Sequence, residues 1–297
     1  MSNMVINTNV LALNSHRAMK NVGQSQANAS ARLSSGLRIN SAADDAAGLA
    51  ISEKMRAQIR GLDMASKNAQ DGSSMVQTAE GGMQQIDNMI QRSRELTVQA
   101  ANDTNTAEDR AKIANEITQL FNEIDSMASR VEFNGKKLIN GSFDRTSLGA
   151  FQASTALYLQ VGANVNQSIQ FNIGSLNTSG LGLSSDMKAQ IKNGFVSGGS
   201  AMSGSDINAL LSDFDTALAN VVNERASLGA IQNRLDYTMK SLDISSENLS
   251  ASESRIRDAD MAKEMMALTK ANVLSQAATS MLAQANQQPQ NLLQLIR

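Results

Sequence analysis

Residues 207–249 read INALLSDFDTALANVVNERASLGAIQNRLDYTMKSLDISSENL. Ile207, Leu210, Phe214, Leu218, Val221, Arg225, Leu228, Gln232, Leu235, Met239, Leu242, Ser246 and Leu249 recur there in steps of three and four. That rhythm is one face of an α-helix laid against another helix. At 1.5 Å per residue such a helix spans roughly 65 Å. No compact domain of this size needs that length, so the stretch predicts a mainly α fold, a rod of long packed helices. Its partners are visible in the same spacing. Ile113, Ile117, Leu120, Ile124, Met127 and Val131 form one stripe, and Val76, Ala79, Met83, Ile86, Ile90, Ser93, Thr97 and Ala100 form another.

The boundaries of these helices carry chemical punctuation. Thr106 with Asp109 has the form of a capping box ahead of Ile113, and Ser205 is placed to cap the helix that begins near Ile207. Asn134-Gly135 and Asn140-Gly141 are turn dipeptides that end the helical pattern. The character then changes. LYLQVGANVNQSIQFNIG (157–174) has two β-type runs about a polar turn, which predicts a small hairpin. The Gly/Ser-rich stretch 180–205 reads as loop with one short helix.

Composition agrees with packed helices. Aromatic residues make up 3% of the 297-residue chain, tryptophan and cysteine are absent, and the one proline is Pro289. Ala, Leu, Ile, Val and Met therefore supply the apolar surface, and helix-breaking residues are rare. Without cysteine there is no disulfide framework and no thiolate metal site. The N-terminus lacks the basic-then-apolar pattern of a secretory signal, and no run reaches about 18 uninterrupted apolar residues, so no membrane span is expected. A formal net charge of −2 argues against nucleic acid as a partner. The charge is uneven, however. Residues 1–43 hold Arg17, Lys20, Arg32 and Arg38 and no acid, whereas 271–296 hold no charge of either sign.

Both ends are helical in pattern but sparsely apolar. Leu11, Ala18, Val22, Ala29 and Leu33 make a thin stripe near the start; Ala267, Ala271, Leu274, Ala278, Met281 and Ala285 make one near the end. Small residues let helices approach closely, yet each buries little area, so at about 25 cal/mol per Å² a single pair is marginal. The expectation is that assembly with further copies supplies the missing burial.

Catalytic chemistry finds no foothold. His16 is the only histidine, which excludes HExxH and other multi-histidine metal sites. No Gly-x-Ser-x-Gly elbow or phosphate-binding glycine loop is present, and no Asp-rich loop has the calcium-binding pattern. The acidic pair Asp44-Asp45, within LSSGLRINSAADDAAGLAIS (33–52), admits three readings: a metal site, acid–base chemistry, or the start of a helix. No further ligands stand nearby, and acids in a first turn favour the helix dipole. Ser41, three residues ahead of Asp44, stands where a capping residue would. The pair is read as a helix start, with no cofactor and no enzymatic activity expected.

Six stretches in order resemble one known family, bacterial flagellin. They are MVINTNVLALNSHR (4–17), RLSSGLRINSAADDAAGLAIS (32–52), QRSRELTVQAANDTNT (91–106), FNGKKLING (133–141), RIRDADMAKEMMALTK (255–270) and QANQQPQNLLQLIR (284–297). The resemblance implies a structural subunit that self-assembles into the flagellar filament used for motility, with a hook–filament junction protein as the nearest alternative. A filament-borne protease and a general coiled-coil adaptor are further rivals. The first would want a histidine in the centre of the chain, and the second a discrete oligomer.

Mapped onto this chain, the resemblance implies that 1–42 pair with 254–297 as an inner terminal helix pair. It likewise implies that 43–142 with 206–253 fold back on each other as a long antiparallel helical coiled-coil rod, and that 143–205 are a short central hairpin and loop without large outer domains. Gly36, Asp44 and Asp45 fall at the joint. The inner assembly seam comprises Leu11, Ala18, Val22, Leu33, Ala271, Leu274, Ala278, Met281, Leu292, Leu293 and Leu295. Arg92 and Leu96, with Glu116 on the following helix, match a surface used in filament contacts and read by host innate receptors. LLQLIR (292–297) resembles the segment sensed inside host cells. Implied partners are further copies of the chain, an export chaperone and the flagellar type III export apparatus, and the filament cap and hook-junction proteins. The implied place is outside the cell, reached without a cleaved signal.

Overall fold

The computed structural model describes residues 8–143, 156–183, 185–197 and 200–295, the side chains of 185–186, 196–197, 200–201 and 289–295 excepted. Among the described residues, seven helices and six short strands follow one another: α1 Val10–Ser35, α2 Ala46–Ala100, α3 Ala107–Arg130, β1 Glu132–Phe133, β2 Lys136–Lys137, β3 Leu157–Gln160, β4 Ser168–Phe171, α4 Ser185–Lys192, β5 Val196–Ser197, β6 Ser200–Ala201, α5 Gly204–Ala209, α6 Leu211–Arg257 and α7 Met261–Leu295. The chain forms two compact units. Unit 1 holds Met1–Ile59 with Glu247–Arg297, and unit 2 holds Arg60–Ser246.

In unit 2, α2 and α6 run antiparallel. Arg94 Nε meets Asp215 Oδ1 at 2.8 Å, Arg225 Nη1 meets Asp87 Oδ2 at 3.3 Å, and Ser246 Oγ donates to Asp63 Oδ1 at 3.0 Å. The stripe seen in the sequence becomes the core. Val76, Ala79, Met83, Ile86, Ile90, Ser93, Thr97 and Ala100 are all buried on α2, opposite Phe214, Val221, Leu228 and Leu235 of α6. Ser93 and Thr97 can occupy that stripe because each hydroxyl donates to the carbonyl four residues back, Met89 and Ser93 respectively. The third helix, α3, adds Ile117, Phe121 and Ile124, and the Phe121 ring lies 6.0 Å from that of Phe214. Thr106 caps α3 as expected, its side chain accepting from Asp109 N at 3.3 Å.

The segment between α3 and α5 is richer in structure than its sequence suggests. The Asn134-Gly135 turn closes a strand pair, Glu132 opposite Lys137, and both turn residues have positive φ, 50° and 74°. That is the backbone of a two-residue hairpin loop, whose twist matches the flanking strands. The expected hairpin of 157–174 is present as β3 and β4, pairing Leu157 with Phe171 and Gln160 with Ser168. Ile169 and Phe171 point inward and Gln170 outward, the two-residue alternation of a half-buried strand. Stretch 180–205 supplies α4 and also a second tight pair, β5 with β6.

The cap ahead of Ile207 is not Ser205. Ser203 N donates to the Asp206 carboxylate at 3.2 Å and opens α5 two residues earlier, because an acid stands three places after Ser203 and none stands three after Ser205.

Unit 1 is built from α1 and α7, also antiparallel. The Asn9 amide donates to Ala285 O at 2.7 Å at one end, and Arg32 approaches Glu264 at 3.4 Å at the other. Between these ties the shielded positions of α1 are Ala12, Ser15, Met19, Val22, Gln26, Ala29 and Leu33. Those of α7 are Glu264, Leu268, Ala271, Ser275, Ala278, Leu282 and Ala285. Each set repeats every seven residues, as a coiled-coil seam does. Yet Ala29, Ile39, Ala271 and Ala285 are the only fully buried apolar residues of unit 1 among the described residues.

Candidate assembly surface

The helix pair leaves apolar side chains on the outside. Val10, Leu11 and Leu13 on α1, and Met261, Met265, Met266, Val273, Leu274 and Met281 on α7, are between 45% and 67% exposed. On α7 they fall on the sides away from the seam, where Met265, Met266, Thr269, Lys270, Val273 and Leu274 line an open groove of about 510 Å³. Solvent does not favour so many large apolar groups on one short stretch, and such patches mark interaction surfaces.

The seam residues expected from the sequence divide between two faces. Val22, Leu33, Ala271 and Ala278 lie in the α1–α7 seam. Leu11, Ala18, Leu274 and Met281 are exposed. Leu292, Leu293 and Leu295 lie on α7, but their side chains are outside the described residues.

A tightly bonded joint links the end of α1 to the start of α2. Gly36 stops α1 in a left-handed conformation, φ 71°, which glycine adopts without steric cost. The chain then pairs with the turn between α6 and α7: Arg38 N donates to Arg257 O at 2.7 Å and Ala259 N to Gly36 O at 2.9 Å. Ile39 is 1% exposed beneath it.

The two acids have separate tasks here. Asp44 holds the turn before the helix, its Oδ2 accepting from Ser41 N, Ser41 Oγ and Asn40 N. Asp45, directly before α2, accepts from Gly48 N at 2.9 Å. Ser41 therefore donates to Asp44 and does not cap the helix; Asp45, one residue from Ala46, is better placed to reach its free amides. Backbone and hydroxyl donors from Ser41, then the Asn40 amide, hold the Asp44 carboxyl below its ordinary range. Gly48 is needed for this packing, since a Cβ there would meet Asp45 Oδ2 at 2.4 Å and Ile39 Cδ1 at 2.8 Å.

In unit 2, Arg92 on α2 donates through Nε and Nη2 to Glu116 on α3, at 3.2 and 3.0 Å, and through Nη1 to Glu95. Glu116 and then Glu95 push the Arg92 guanidinium further up, so it stays charged. Arg92 and Glu116 are about half exposed. Leu96 is 2% exposed and belongs to the core, so the expected three-residue surface reduces to its two polar members.

Asn9 is a functional residue that sequence reasoning passed over. Its side chain caps α1, accepting from Ala12 N at 3.0 Å, while its amide ties α1 to α7. An asparagine just ahead of the apolar VLAL run was the available signal.

Among the described residues no three His, Cys, Asp or Glu side chains are grouped so as to hold a metal ion, and no helix is long and apolar enough to cross a membrane. Two family models match. The bacterial flagellin N-terminal helical region covers residues 6–144, and the bacterial flagellin C-terminal helical region covers residues 211–296. These two ranges hold every helix of the α1–α7 pair and of the unit 2 core except the short α4 and α5.

The chain is a member of the bacterial flagellin family.

Full-length relatives agree. Flagellin of Bacillus subtilis is 49% identical across 99% of this chain and all of its own length. The flagellar filament 33 kDa core protein of Treponema phagedenis is 44% identical over the same share of each. Among solved structures, a putative flagellar hook-associated protein from Vibrio parahaemolyticus has a TM-score of 0.59 and 16% identity, covering 72% of this chain and 100% of that one. At that identity the likeness shows a common helical fold and nothing about role. As a flagellin, the chain is a structural subunit of the flagellar filament, the extracellular part of the flagellum, and not an enzyme. Nothing favours the hook-junction alternative.

Proposed function

We propose that the outward apolar faces of α1 and α7 are the contacts through which copies of this flagellin pack in the filament. The observation that carries the reading is the exposure of Met266, Val273 and Met281 (60–67% for the first two and 57% for the third) on a helix pair whose own seam is mostly alanine and polar residues. Burying one such side chain contributes about 1.5–3 kcal/mol. A handful of them supplies more than the thin seam does. In this reading the terminal segments 1–42 and 254–297 are the inner pair, 43–142 with 206–253 the rod of long helices, and 143–205 a short centre without outer domains. The exposed Arg92–Glu116 pair serves a second filament contact, and it is also the part of that surface a host receptor would touch. Export without a cleaved signal, an export chaperone on the C-terminal segment, and cap and hook-junction partners belong to the same reading, which family membership supports.

The test is seeded polymerisation of purified chain watched by electron microscopy, comparing the parent with Val273→Asp. The parent is expected to extend seeds into filaments and the variant to remain monomeric with unchanged helical content. A variant that polymerises like the parent would remove the α7 face from the assembly contacts.

A further inference from the structure

Methionine is used heavily, with 16 in the chain, and its placement is uneven. Met83 and Met187 are at most 1% exposed in the unit 2 core. Five of the described methionines are largely exposed, and four of these, Met261, Met265, Met266 and Met281, are on α7. The fifth, Met64, is on α2 in unit 2. Met265 and Met266 also line the open groove on α7. A thioether is apolar enough to pack in an interface, yet its sulfur is open to attack when solvent reaches it.

We infer that these four methionines are an oxidation-sensitive modification site that governs whether a free subunit can join the filament. The inference rests on the α7 face being an assembly contact. The reactant is a two-electron oxygen donor of the peroxide class. A sulfur lone pair attacks the terminal peroxide oxygen, the O–O bond breaks, a sulfur–oxygen bond forms, and water leaves. Each thioether is oxidised by two electrons to a sulfoxide as the peroxide is reduced. The product carries a strong acceptor oxygen where assembly needs an apolar surface. Leaving that oxygen unpartnered in a closed interface costs enough to slow addition roughly tenfold or more per buried sulfoxide. The change is reversible, because a sulfoxide reductase with a dithiol returns the oxygen as water and the dithiol as disulfide. Subunits already in the filament have the face covered and are spared.

The experiment treats dilute full-length subunit with hydrogen peroxide, removes the peroxide with catalase, and measures sulfoxide at each methionine by peptide mass spectrometry. Seeded polymerisation is then followed by light scattering. Sulfoxide is expected at Met266, Met281, Met265 and Met261 well before Met83 and Met187, together with at least a tenfold slower polymerisation. Reductase treatment with dithiothreitol, using the enzymes for both sulfoxide epimers together, should restore the rate. A chain with Leu at all four α7 positions should polymerise at one rate with or without peroxide, whereas Met64→Leu should stay as sensitive as the parent. Oxidised subunits that polymerise at the untreated rate would overturn the inference, and so would failure of the reductase to restore it. A failure of the assembly reading shows separately, as Val273→Asp subunits that still polymerise without any oxidant.

Discussion

Unit 2 and unit 1 are made of the same kinds of helix, with opposite outcomes for their apolar residues. In unit 2, Met83, Ile86, Ile90, Ile117, Ile124 and Phe214 are all sealed in one core. In unit 1 three of the four fully buried apolar residues are alanines, and ten of the seventeen large apolar residues left exposed in the described chain belong to it. The sequence cause is plain. Stripes in unit 2 alternate large apolar residues with polar outer faces, whereas α7 places Leu268 and Leu282 on one side and Met266, Val273, Leu274 and Met281 on the others. Apolar residues on more than one face of a helix call for partners on more than one face. Unit 2 is finished by its own chain; in the proposed reading, unit 1 is finished by other chains.

The comparison breaks most readily in unit 2. Phe214→Ala removes a fully buried ring packed against Phe121, and should lower stability by about 3–5 kcal/mol. Thermal unfolding of the monomer would show it as a lower midpoint. Polar substitution on the α7 outer face should leave that midpoint nearly unmoved, since exposed sites away from packing shift stability within about 0.5 kcal/mol.

An intermediate effect is expected at the joint of unit 1. Gly48→Ala forces its new methyl onto Asp45 and Ile39, and overpacking of this kind costs about 1–3 kcal/mol. Faster hydrogen exchange at Leu49 and Ala50, with exchange in α3 unchanged, would register it. Equal loss of protection in both units would mean that the joint and the unit 2 core are one cooperative structure.

The smallest effect should come from acid. The Asp44 carboxyl is held below its ordinary range in the folded chain by the Ser41 and Asn40 donors. A lowered folded value means that the stabilisation is fully present above the unfolded value and fades as pH falls through the folded one. The 40–44 turn should therefore loosen only below about pH 4, and Asp44→Asn should flatten that dependence. Chemical-shift titration of Ser41 N–H would follow it, and an Asn variant with the same titration would assign the effect elsewhere.

Much of this was legible in the sequence, and the failures have physical reasons. The stripes of α2, α3 and α6 were readable because large apolar residues alternate with charged ones at a helical period. On α7 two stripes share Ala271, Ala278 and Ala285, one completed by Leu268, Ser275 and Leu282 and the other by Ala267, Leu274 and Met281. Periodicity cannot choose between them; the seam takes the first, leaving Leu274 and Met281 outside. Arg92 and Glu116 were recognisable as a surface pair through the resemblance, whereas Leu96, three residues after Ser93 and four before Ala100, stands at core spacing on α2 and is buried there. Asp44 and Asp45 were legible as acids at a helix start. Which one faces the helix is settled by where α2 begins, at Ala46, which puts Asp45 directly ahead of it.

The central claim is that unit 1 gains its final packing from other copies while the unit 2 core is closed within its own chain. Hydrogen-exchange mass spectrometry of dilute monomer and of polymer, peptide by peptide, tests it most directly. Amides of α1 and α7 should exchange rapidly in the monomer and become strongly protected in the polymer, while 76–97 and 214–235 are protected in both. Strong protection of α1 and α7 in dilute monomer, or no gain on polymerisation, would contradict it.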